Sequence, residues 1–310
     1  MRRQILQGLD DVVARPRVVG LGSFDGVHLG HRRVIGEAVA AAERWSVPAL
    51  VATFHPLPRS VVDPSNAPPS LSSLATRVGL IADLGPGEIL ILRFTRALAA
   101  VGADEFVRDV LVRRLAAEEV VVGANFRFGH DRSGDVELLA RLGAQHGFAV
   151  TAVPLLEVGG ERVSSTRIRA LVEAGAVEEA AALLGRPPAL EGAVVRGDGR
   201  GRELGMPTAN LGFPPGHATP SEGVYAGYAV LAPGARRVPA AISIGRNETF
   251  GGTPGLRVEA HLLDVDEDLY GLPMRVEFVR RLRGQVRYDG VEPLVVQMRT
   301  DVAETRRLVG

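Results

Sequence analysis

One stretch of this 310-residue chain decides how its first half folds: RVVGLGSFDGVHLGH, at residues 17–31. Residues 17–24 are almost entirely apolar, which is typical of a strand that is buried on both faces of a sheet. A glycine-containing turn follows, and a helical spacing of apolar residues begins near His31. The stretch therefore predicts a buried strand, a tight turn and the N-terminus of a helix.

The rest of the first half repeats this alternation of apolar strands and helical segments. Further strands are predicted at residues 48–54, 88–94, 118–123 and 148–154, and helices at about 31–45, 104–115, 136–146, 166–173 and 177–184. Buried strands that alternate with helices predict a parallel sheet covered on both faces. We therefore expect a Rossmann-like α/β domain that binds its ligands at the carboxyl ends of the strands.

The pattern changes after the breaker cluster Gly185-Arg186-Pro187-Pro188. The predicted domain boundary lies there, which gives domains of residues 1–186 and 187–310. Short strand candidates rich in β-branched residues follow, at 194–195, 224–231, 238–244, 256–265 and 274–278, before a final helix at about 291–309. Short strands separated by Gly and Pro turns predict a small antiparallel barrel with a C-terminal helix.

Composition excludes several classes of protein. Lys+Arg and Asp+Glu are 36 each, and every basic residue is arginine, so the basic excess of a general nucleic-acid binder is missing. The absence of cysteine excludes disulfides and thiolate metal sites. No apolar run is long enough for a transmembrane helix, and the N-terminal residues do not resemble a signal peptide, so a cytoplasmic protein without a membrane partner is expected.

Two histidines, His28 and His31, lie at the predicted helix N-terminus, where unpaired N–H groups and the positive helix-dipole end favour phosphate. Their ring N–H groups could stabilise charge that develops on a triphosphate. Gly26 and Gly30 would let the backbone approach this ligand closely. The alternative is a glycine-rich turn with two surface histidines.

Three other first-half clusters lie near predicted strand or helix ends. The SSTRIR run at residues 164–169 could cap a helix, or grip the β- and γ-phosphates through Arg167 and Arg169. The loops at 53–58 and 123–129 would open on the same edge of the sheet. Their aromatic side chains could stack on a flavin or adenine ring or simply pack in the core, and Asn125 could be a turn residue or a ligand contact.

In the second half, the glycines of residues 197–205 could wrap a phosphate, although the G-K-[ST] ending of a P-loop is missing. Thr208 and Asn210 are two residues apart, so in extended chain their oxygens point to the same side and suit Mg²⁺ bound together with ATP. Glu259 interrupts an apolar strand, and faces either solvent or a substrate hydroxyl whose proton it could accept. A plain glycine-rich hairpin remains the alternative for the loop.

The runs FDGVHLGH (24–31), TFHPLP (53–58), GANFRFG (123–129) and SSTRIR (164–169) resemble the FMN adenylyltransferase module of bacterial bifunctional riboflavin kinase/FAD synthetases. This resemblance implies that His28 and His31 are catalytic. It implies ATP or phosphate binding by Gly22, Phe24, Asp25, Gly26, Gly30, Ser164, Ser165, Thr166 and Arg167. It implies FMN or ATP contacts for Phe54, His55, Pro56, Pro58, Asn125, Phe126, Arg127 and Phe128.

The runs GRGRELGMPTANL (199–211), SEGVYAGY (221–228), EAHLLDVDEDLYG (259–271) and RLRGQVRYDG (281–290) resemble the riboflavin kinase module, a six-stranded barrel with a C-terminal helix. The resemblance implies that Glu259 is the base for the ribityl 5′-hydroxyl, that Thr208 and Asn210 hold Mg²⁺ with ATP, and that Arg283 approaches the flavin. It implies ATP phosphate contacts for Gly197, Gly199, Gly201, Arg202, Leu204, Gly205 and Pro207. Glu248 replaces a proline that the family often carries, which puts the shape of its loop in doubt.

Together these resemblances imply phosphorylation of riboflavin to FMN in the second domain and adenylylation of FMN to FAD in the first, with ATP as co-substrate and Mg²⁺ as cofactor. A monomer or transient homo-oligomer with small-molecule partners is expected. Two alternatives stay open: another nucleotidyltransferase with an HxGH motif, such as a cytidylyltransferase or pantetheine-phosphate adenylyltransferase, and a flavin-binding module without turnover. The PTAN run at 207–210 argues against the first, and product formation from riboflavin and ATP would exclude the second.

Overall fold

A computed structural model describes residues 4–197, 199, 201, 204–232, 234–246 and 256–310 of the chain. The chain divides into two compact units, Met1–Ser165 and Thr166–Gly310. The boundary predicted at residues 186 and 187 lies further along the chain than this division. The helix before it, Val177–Leu184, packs on the strand Pro273–Arg283 of the second unit. The predicted boundary stays a prediction.

The first unit is built on a six-stranded sheet in which every neighbouring pair is parallel. Its strands are β1 (Gln4–Leu6), β2 (Arg17–Leu21), β3 (Ala49–His55), β4 (Glu88–Arg93), β5 (Ala117–Gly123) and β6 (Ala149–Val153). They lie in the order β1-β4-β3-β2-β5-β6. The direction of winding reverses between β2 and β5, which is where an open α/β sheet forms its ligand crevice. The predicted Rossmann-like architecture is confirmed.

Helices cover this sheet and follow the predicted alternation. They are α1 (Leu29–Trp45), α2 (Pro58–Val62), α3 (Leu74–Ala82), α4 (Arg96–Ala99), α5 (Ala103–Glu105) and α6 (Val136–His146). In α1 the buried residues Val34, Ile35, Ala38, Ala41 and Ala42 recur every three or four positions, so a single face of the helix packs on the sheet. The helix predicted at 104–115 is realised as α5 followed by a π-helix, Phe106–Arg114.

The sequence analysis did not identify several short elements. Strand β1 has three residues, and the hairpin of β7 (Glu157–Val158) and β8 (Glu161–Arg162) has two in each strand. The sequence analysis also did not predict helices α2 and α3. Strands of two or three residues are too short to show a measurable periodicity in the sequence.

The second unit begins with α7 (Ser165–Glu173), whose first residue still belongs to the first unit, and α8 (Val177–Leu184). Six antiparallel strands then close a barrel: β9 (Ala189–Val195), β10 (Ala209–Gly212), β11 (Gly223–Leu231), β12 (Arg236–Arg246), β13 (Leu256–Leu262) and β14 (Pro273–Arg283). The final helix is α9 (Val291–Val309). The predicted barrel and C-terminal helix are confirmed. In the described parts of the chain, each helix is too short or too polar to span a membrane.

Alternation along the barrel strands decides which side chains can form a site. On β13, Val258 and Ala260 are buried in the barrel core, whereas Glu259 between them is only partly buried. The same holds on β12 for Ile242 and Ile244. Because successive residues of a strand face opposite sides, the intervening polar residues lie on the outer surface of the barrel.

A buried ion pair ties the N-terminal segment to the opposite, amino-terminal edge of the parallel sheet. Arg17 at the start of β2 is 1% exposed, and its guanidinium lies 3.2 Å from the carboxylate of Glu88 at the start of β4. Arg17 also donates to the carbonyls of Val13 and Arg15, and Arg15 donates to Glu88 at 2.6 Å. The pair therefore joins two strands that are not neighbours in the sheet.

We expect Arg17→Met to lower the free energy of unfolding of the first unit by about 3–5 kcal/mol, because one partner of a buried ion pair is lost. The fluorescence of Trp45, the only tryptophan of the chain, reports unfolding of this unit in denaturant titrations. Arg113→Met is the control, since Arg113 pairs with Asp109 on an exposed helix face and such pairs contribute about 1 kcal/mol or less. Equal effects of both substitutions would contradict the prediction.

Candidate functional sites

The first candidate site is the loop of residues 22–28, which joins β2 to α1 where the strand order reverses. Gly22 still pairs with β3, since its N–H donates to the carbonyl of Ala52 at 3.2 Å. Phe24, Asp25, Gly26 and Val27 are all buried. The loop is therefore packed into the carboxyl edge of the sheet and directs the chain into the N-terminus of α1.

His28 is the N-cap residue of α1. It is 5% exposed, and its Nδ1 accepts a hydrogen bond from the backbone N–H of His31 at 3.2 Å. Because Nδ1 is the acceptor, the neutral ring carries its proton on Nε2 and can donate from that atom. The two rings are stacked, with centroids 3.5 Å apart and an interplanar angle of 17°. The sequence prediction that both histidines meet at a helix N-terminus is confirmed.

Gly30 lies close to the ring of His28. A Cβ atom at Gly30 would lie 3.2 Å from Cε1 and 3.3 Å from Nδ1 of His28. A larger residue would therefore require the cap imidazole to shift by a few tenths of an ångström. The glycine of the HLGH run therefore shapes the histidine pair as well as the backbone.

The loop backbone has an unfavourable conformation that surrounding groups stabilise. Phe24 has φ 49° and Val27 has φ 40°, values that are rare for residues with a side chain and rarest for a β-branched one. The Asp25 carboxylate accepts from the backbone N–H of Leu71 at 3.0 and 3.1 Å. Gly26 N–H donates to Ser72 Oγ at 3.1 Å. These contacts show that the segment before α3 holds the loop, a role that the sequence did not reveal.

The SSTRIR run contacts the loop of residues 22–28 through Ser165. Ser165 Oγ donates to the backbone carbonyl of Asp25 at 3.1 Å, so this serine reaches the loop across 140 residues of sequence. Ser164 precedes it and is partly buried. Thr166 and Arg167 continue helix α7 in the second unit, and their contact with nucleotide stays a prediction.

A buried arginine that the sequence analysis missed lies beneath the loop. Arg77 of α3 is 2% exposed and donates to the carbonyl of Ser23 and to the carbonyl of Phe54, each at 2.9 Å. Thr53 Oγ1 donates to the same Ser23 carbonyl at 2.9 Å. Burial lowers the pKa of the Arg77 guanidinium, and the charge of Asp25 opposes this shift. A helical arginine in an apolar context gives no sequence signal of this kind.

The loops after β3 and β5 contain the other predicted contacts. His55 and Pro56 are exposed, and Pro58 begins α2. The part of the His55 ring that is shielded from solvent, followed by the charge of Arg77, lowers the pKa of this residue. Asn125 is exposed after β5. These residues lie at the carboxyl ends of strands on both sides of β2, as expected.

The aromatic side chains of these loops divide into two groups. Phe54 and Phe128 belong to the hydrophobic core, where their rings pack against Phe94 and Phe106 respectively. Phe126 stacks on Phe128 and keeps partial exposure. Arg127 pairs with Asp135, the N-cap residue of α6, at 3.2 Å. Flavin or adenine stacking stays a prediction, and Phe126 is the ring of the three that is most accessible to it.

The second candidate site lies on the outer surface of the barrel. Asn210 on β10 pairs in register with Glu259 on β13, which pairs in turn with Ser243 on β12. Directly opposed residues of antiparallel strands have Cβ atoms about 4.5–5.5 Å apart. Asn210 and Glu259, which are 49 positions apart in the sequence, are therefore neighbours on one face. Gln285 closes this row by donating to Ser243 Oγ at 3.0 Å.

Two described glycines of the glycine-rich loop lie close to Asn210 and Thr208. A Cβ at Gly197 would lie 2.8 Å from Oδ1 of Asn210, and a Cβ at Gly201 would lie 3.3 Å from Oγ1 of Thr208. Gly199 and Gly205 have φ values of 75° and 72°. Leu204 and Pro207 belong to the same loop, whereas Arg202 and the substituted position Glu248 lie outside the described residues. The predicted phosphate loop thus packs directly over the predicted metal ligands.

Two further polar residues shape this site. His261 lies two positions after Glu259 on β13, and its Nδ1 donates to the carbonyl of Pro207 at 2.8 Å, next to Thr208. The predicted flavin contact Arg283 makes a bidentate pair with the buried Asp301 of α9, with the shortest distance 2.7 Å. Burial opposes the charge of Arg283, but the hydrogen bond and charge of Asp301 leave its pKa raised. Only the fold could reveal these partners.

No group of three or more histidines and carboxylates suited to a metal ion occurs among the residues that the structure describes. Thr208 and Asn210 nevertheless supply neutral oxygens, and Mg²⁺ commonly takes few protein ligands when phosphates complete its coordination. The donor set therefore fits a magnesium ion that arrives with a nucleotide.

A parallel α/β domain with a histidine-containing loop at its switch point, followed by a closed barrel with Asn210 and Glu259 on its outer surface, fits the class of two-domain nucleotide-dependent transferases. The family model described as FAD synthetase matches residues 11–167, and the model described as riboflavin kinase matches residues 184–309. The chain belongs to the family of bifunctional riboflavin kinase/FMN adenylyltransferases. It phosphorylates riboflavin to FMN and adenylylates FMN to FAD.

Curated relatives of this description cover nearly all of the chain. The protein of Escherichia coli (strain K12) is 34% identical over 99% of this chain and 98% of its own length. That of Pseudomonas fluorescens is 36% identical over 98% and 97%, and that of Bacillus subtilis (strain 168) is 32% identical over 94% and 92%. Two alternatives do not fit these matches: another nucleotidyltransferase with an HxGH motif, and a flavin-binding module without turnover.

A solved structure has the same fold along the chain. The crystal structure of a protein from Streptococcus pneumoniae, described as a macrolide-efflux protein, matches with a TM-score of 0.88 and 32% identity over 99% of each chain. The description as a macrolide-efflux protein applies to the Streptococcus pneumoniae protein and is not extended to this chain. The likeness supports the succession of a parallel α/β domain and a closed barrel.

We expect the pKa of His55 to lie below its ordinary value of 6.5, because burial and the positive charge of Arg77 both disfavour the imidazolium. Arg77→Met removes the second cause and should raise this pKa, while burial keeps it below the ordinary value. NMR titration of the histidine ring protons, with His55→Gln used for assignment, measures the shift. An unchanged His55 titration in Arg77→Met protein would contradict the proposed influence of the arginine.

Proposed function

We propose that adenylyl transfer takes place at the loop of residues 22–28, with His28 and His31 as the groups that bind the ATP phosphates. The observation that carries this proposal is the histidine pair at the N-terminus of α1, where the helix dipole and unpaired N–H groups favour anions. Gly26, Gly30 and the loop backbone shape the cradle. Two hydrogen bonds hold this cradle: the Asp25 carboxylate accepts from the N–H of Leu71, and Ser165 Oγ donates to the Asp25 carbonyl.

The reaction requires no protein nucleophile. An oxygen of the FMN phosphate forms a bond to the α-phosphorus of ATP, the bond from that phosphorus to the bridging oxygen breaks, and pyrophosphate leaves. Ring N–H groups of His28 and His31 stabilise the charge that moves onto the leaving oxygens. Loop and histidines therefore act by positioning and by electrostatic stabilisation. The loops with His55 and Asn125 flank this position and bind the flavin or adenine portions.

For the kinase reaction, we propose that Glu259 accepts the proton of the riboflavin 5′-hydroxyl. The oxygen of that hydroxyl forms a bond to the γ-phosphorus of ATP, the bond from this phosphorus to the β–γ bridging oxygen breaks, and ADP leaves. Support comes from the register, which places Glu259 beside Asn210, and from the loop that covers Asn210 and Thr208. A positioned carboxylate beside a nucleotide is a recurrent arrangement in phosphoryl transfer. Thr208 and Asn210 would hold Mg²⁺, which when bound neutralises charge on the phosphates.

Arg283 is proposed to serve the flavin side of the kinase site indirectly. Its guanidinium is held by Asp301, which also accepts from Gln297, so the arginine links β14 to α9. This link fixes the start of the segment of residues 284–290 that precedes the helix.

We also place the chain in the cytoplasm, because both reactions consume ATP. Each reaction uses residues of one chain, so a monomer is sufficient.

Removal of the His28 imidazole should lower the rate of FAD formation from FMN by about 100-fold or more, the usual cost of losing a transition-state donor. His28→Ala also removes the helix cap, whereas His28→Asn keeps a capping acceptor and removes only the imidazole. Both variants should be deficient, with riboflavin phosphorylation unchanged. His146→Asn, at the exposed end of α6, is the matched control. The assignment fails if His28→Asn makes FAD at the wild-type rate.

Glu259→Gln should reduce FMN formation from riboflavin by about 100-fold or more, because the amide cannot accept the hydroxyl proton. FAD formation from supplied FMN should persist. Chromatographic separation of riboflavin, FMN and FAD measures both reactions in one protein preparation. Glu267→Gln is the control, since Glu267 is exposed and pairs with Arg236. Parallel loss of both activities in Glu259→Gln would argue against two separate sites.

A further inference from the structure

We infer that Arg77 is a positioning residue for adenylyl transfer, which holds the ends of β2 and β3 so that the loop of residues 22–28 can bind a triphosphate. This inference rests on the proposed role of that loop. Arg77 touches neither proposed nucleotide ligand, His28 nor His31, through any contact that the structure records. It acts on the loop backbone instead.

The hydrogen bonds of Arg77 explain how it could act. Its two terminal nitrogens donate at 2.9 Å to the carbonyls of Ser23 and Phe54. Ser23 follows β2, and Phe54 lies near the end of the adjacent strand β3. A planar guanidinium offers donors in a fixed fork, so one side chain can set the separation of two carbonyl groups. Lysine has a single terminal nitrogen and cannot reproduce this geometry.

The loop needs such external support. Phe24 and Val27 both have positive φ, which is unfavourable for non-glycine residues and persists only where the surroundings impose it. The Ser23 carbonyl, immediately before Phe24, accepts from both Arg77 and Thr53. The backbone is therefore anchored at the residue where the unusual conformation begins.

Stability alone does not account for a cation at this position. Arg77 donates to neutral carbonyls, and its Nε has no hydrogen-bond partner among the described residues. The charge of Asp25 opposes the effect of burial only in part, since the pKa of Arg77 stays lowered. Burying a charge is costly, and apolar replacements of buried ionic groups are often neutral or stabilising. A role in arranging an anion-binding loop accounts for this cost, and the buried positive charge also favours a polyanionic ligand nearby.

Arg17 provides a matched comparison within the same sheet. It is equally buried but lies at the opposite edge and pairs with Glu88. Arg17→Met should therefore lower stability without affecting chemistry at the carboxyl edge. Arg77→Met should affect both the loop geometry and the reaction.

The experiment compares Arg77→Met, Arg77→Lys and Arg17→Met in the full chain, with steady-state rates of FAD formation at varied ATP and thermal unfolding of each protein. We expect kcat for FAD formation to fall by about 100-fold in Arg77→Met, as for a misplaced oxyanion donor. Arg77→Lys, which restores one hydrogen bond, should recover part of this loss. Riboflavin phosphorylation by the same preparations should be unchanged.

Thr53→Val supplies a second variant that avoids removing a large buried side chain. It deletes the other hydrogen bond to the Ser23 carbonyl at nearly constant volume and should lower kcat by about five- to tenfold. Wild-type kcat in folded Arg77→Met protein would overturn the inference. The inference would also be overturned if Arg77→Met and Arg17→Met lost kcat in the same proportion to the drop in their unfolding temperatures. That result would indicate a purely structural role for Arg77.

His28→Asn separates failure of this inference from failure of the proposed site. If His28→Asn is inactive while Arg77→Met and Thr53→Val are active, the site stands and the positioning role does not. If His28→Asn retains wild-type FAD formation, the loop is not the site and the proposed function fails first. Loss of kcat in all three, with kinase activity retained, supports both.

Discussion

The loop between β2 and α1 has a backbone conformation that its own residues disfavour, so it depends on contacts with the rest of the first unit. Phe24 and Val27 lie at positive φ, and Val27 is β-branched. The rest of the first unit compensates for this. Strand β3 supplies Thr53, helix α3 supplies Arg77, and the segment before α3 supplies Leu71 and Ser72. The parallel sheet fixes these groups because its strand ends meet at one edge.

The second unit places its candidate site on a different architecture, the outer surface of a closed barrel. A closed barrel has no free sheet edge, and its apolar residues fill the interior. Polar residues on its strands must therefore lie outside, where Asn210, Glu259 and Ser243 form one row. Glycine at 197 and 201 lets the preceding loop approach this row without steric conflict. The site depends on strand register, because a shift by one residue would turn Glu259 into the core.

The chain contains no lysine, so any group that binds phosphate must be a backbone N–H group, an imidazole, a guanidinium or a metal ion. Arginine differs from lysine in offering planar, paired donors, and both Arg77 and Arg283 use them to fix other groups. Arg77 holds two backbone carbonyls, whereas Arg283 holds a buried carboxylate of α9. In both cases the guanidinium orders a segment next to a site instead of acting as an exposed charge.

The sequence by itself determined the two architectures, the histidine pair at a helix N-terminus and the PTAN loop, because these features depend on local periodicity and on neighbours within a few residues. The tertiary structure alone decided which distant groups meet: Arg77 with the carbonyls of Ser23 and Phe54, Asn210 with Glu259, and Arg283 with Asp301. It also decided that the rings of Phe54 and Phe128 pack in the core. Such pairings arise from strand order, register and burial, which no local pattern encodes, since each partner alone is compatible with many environments.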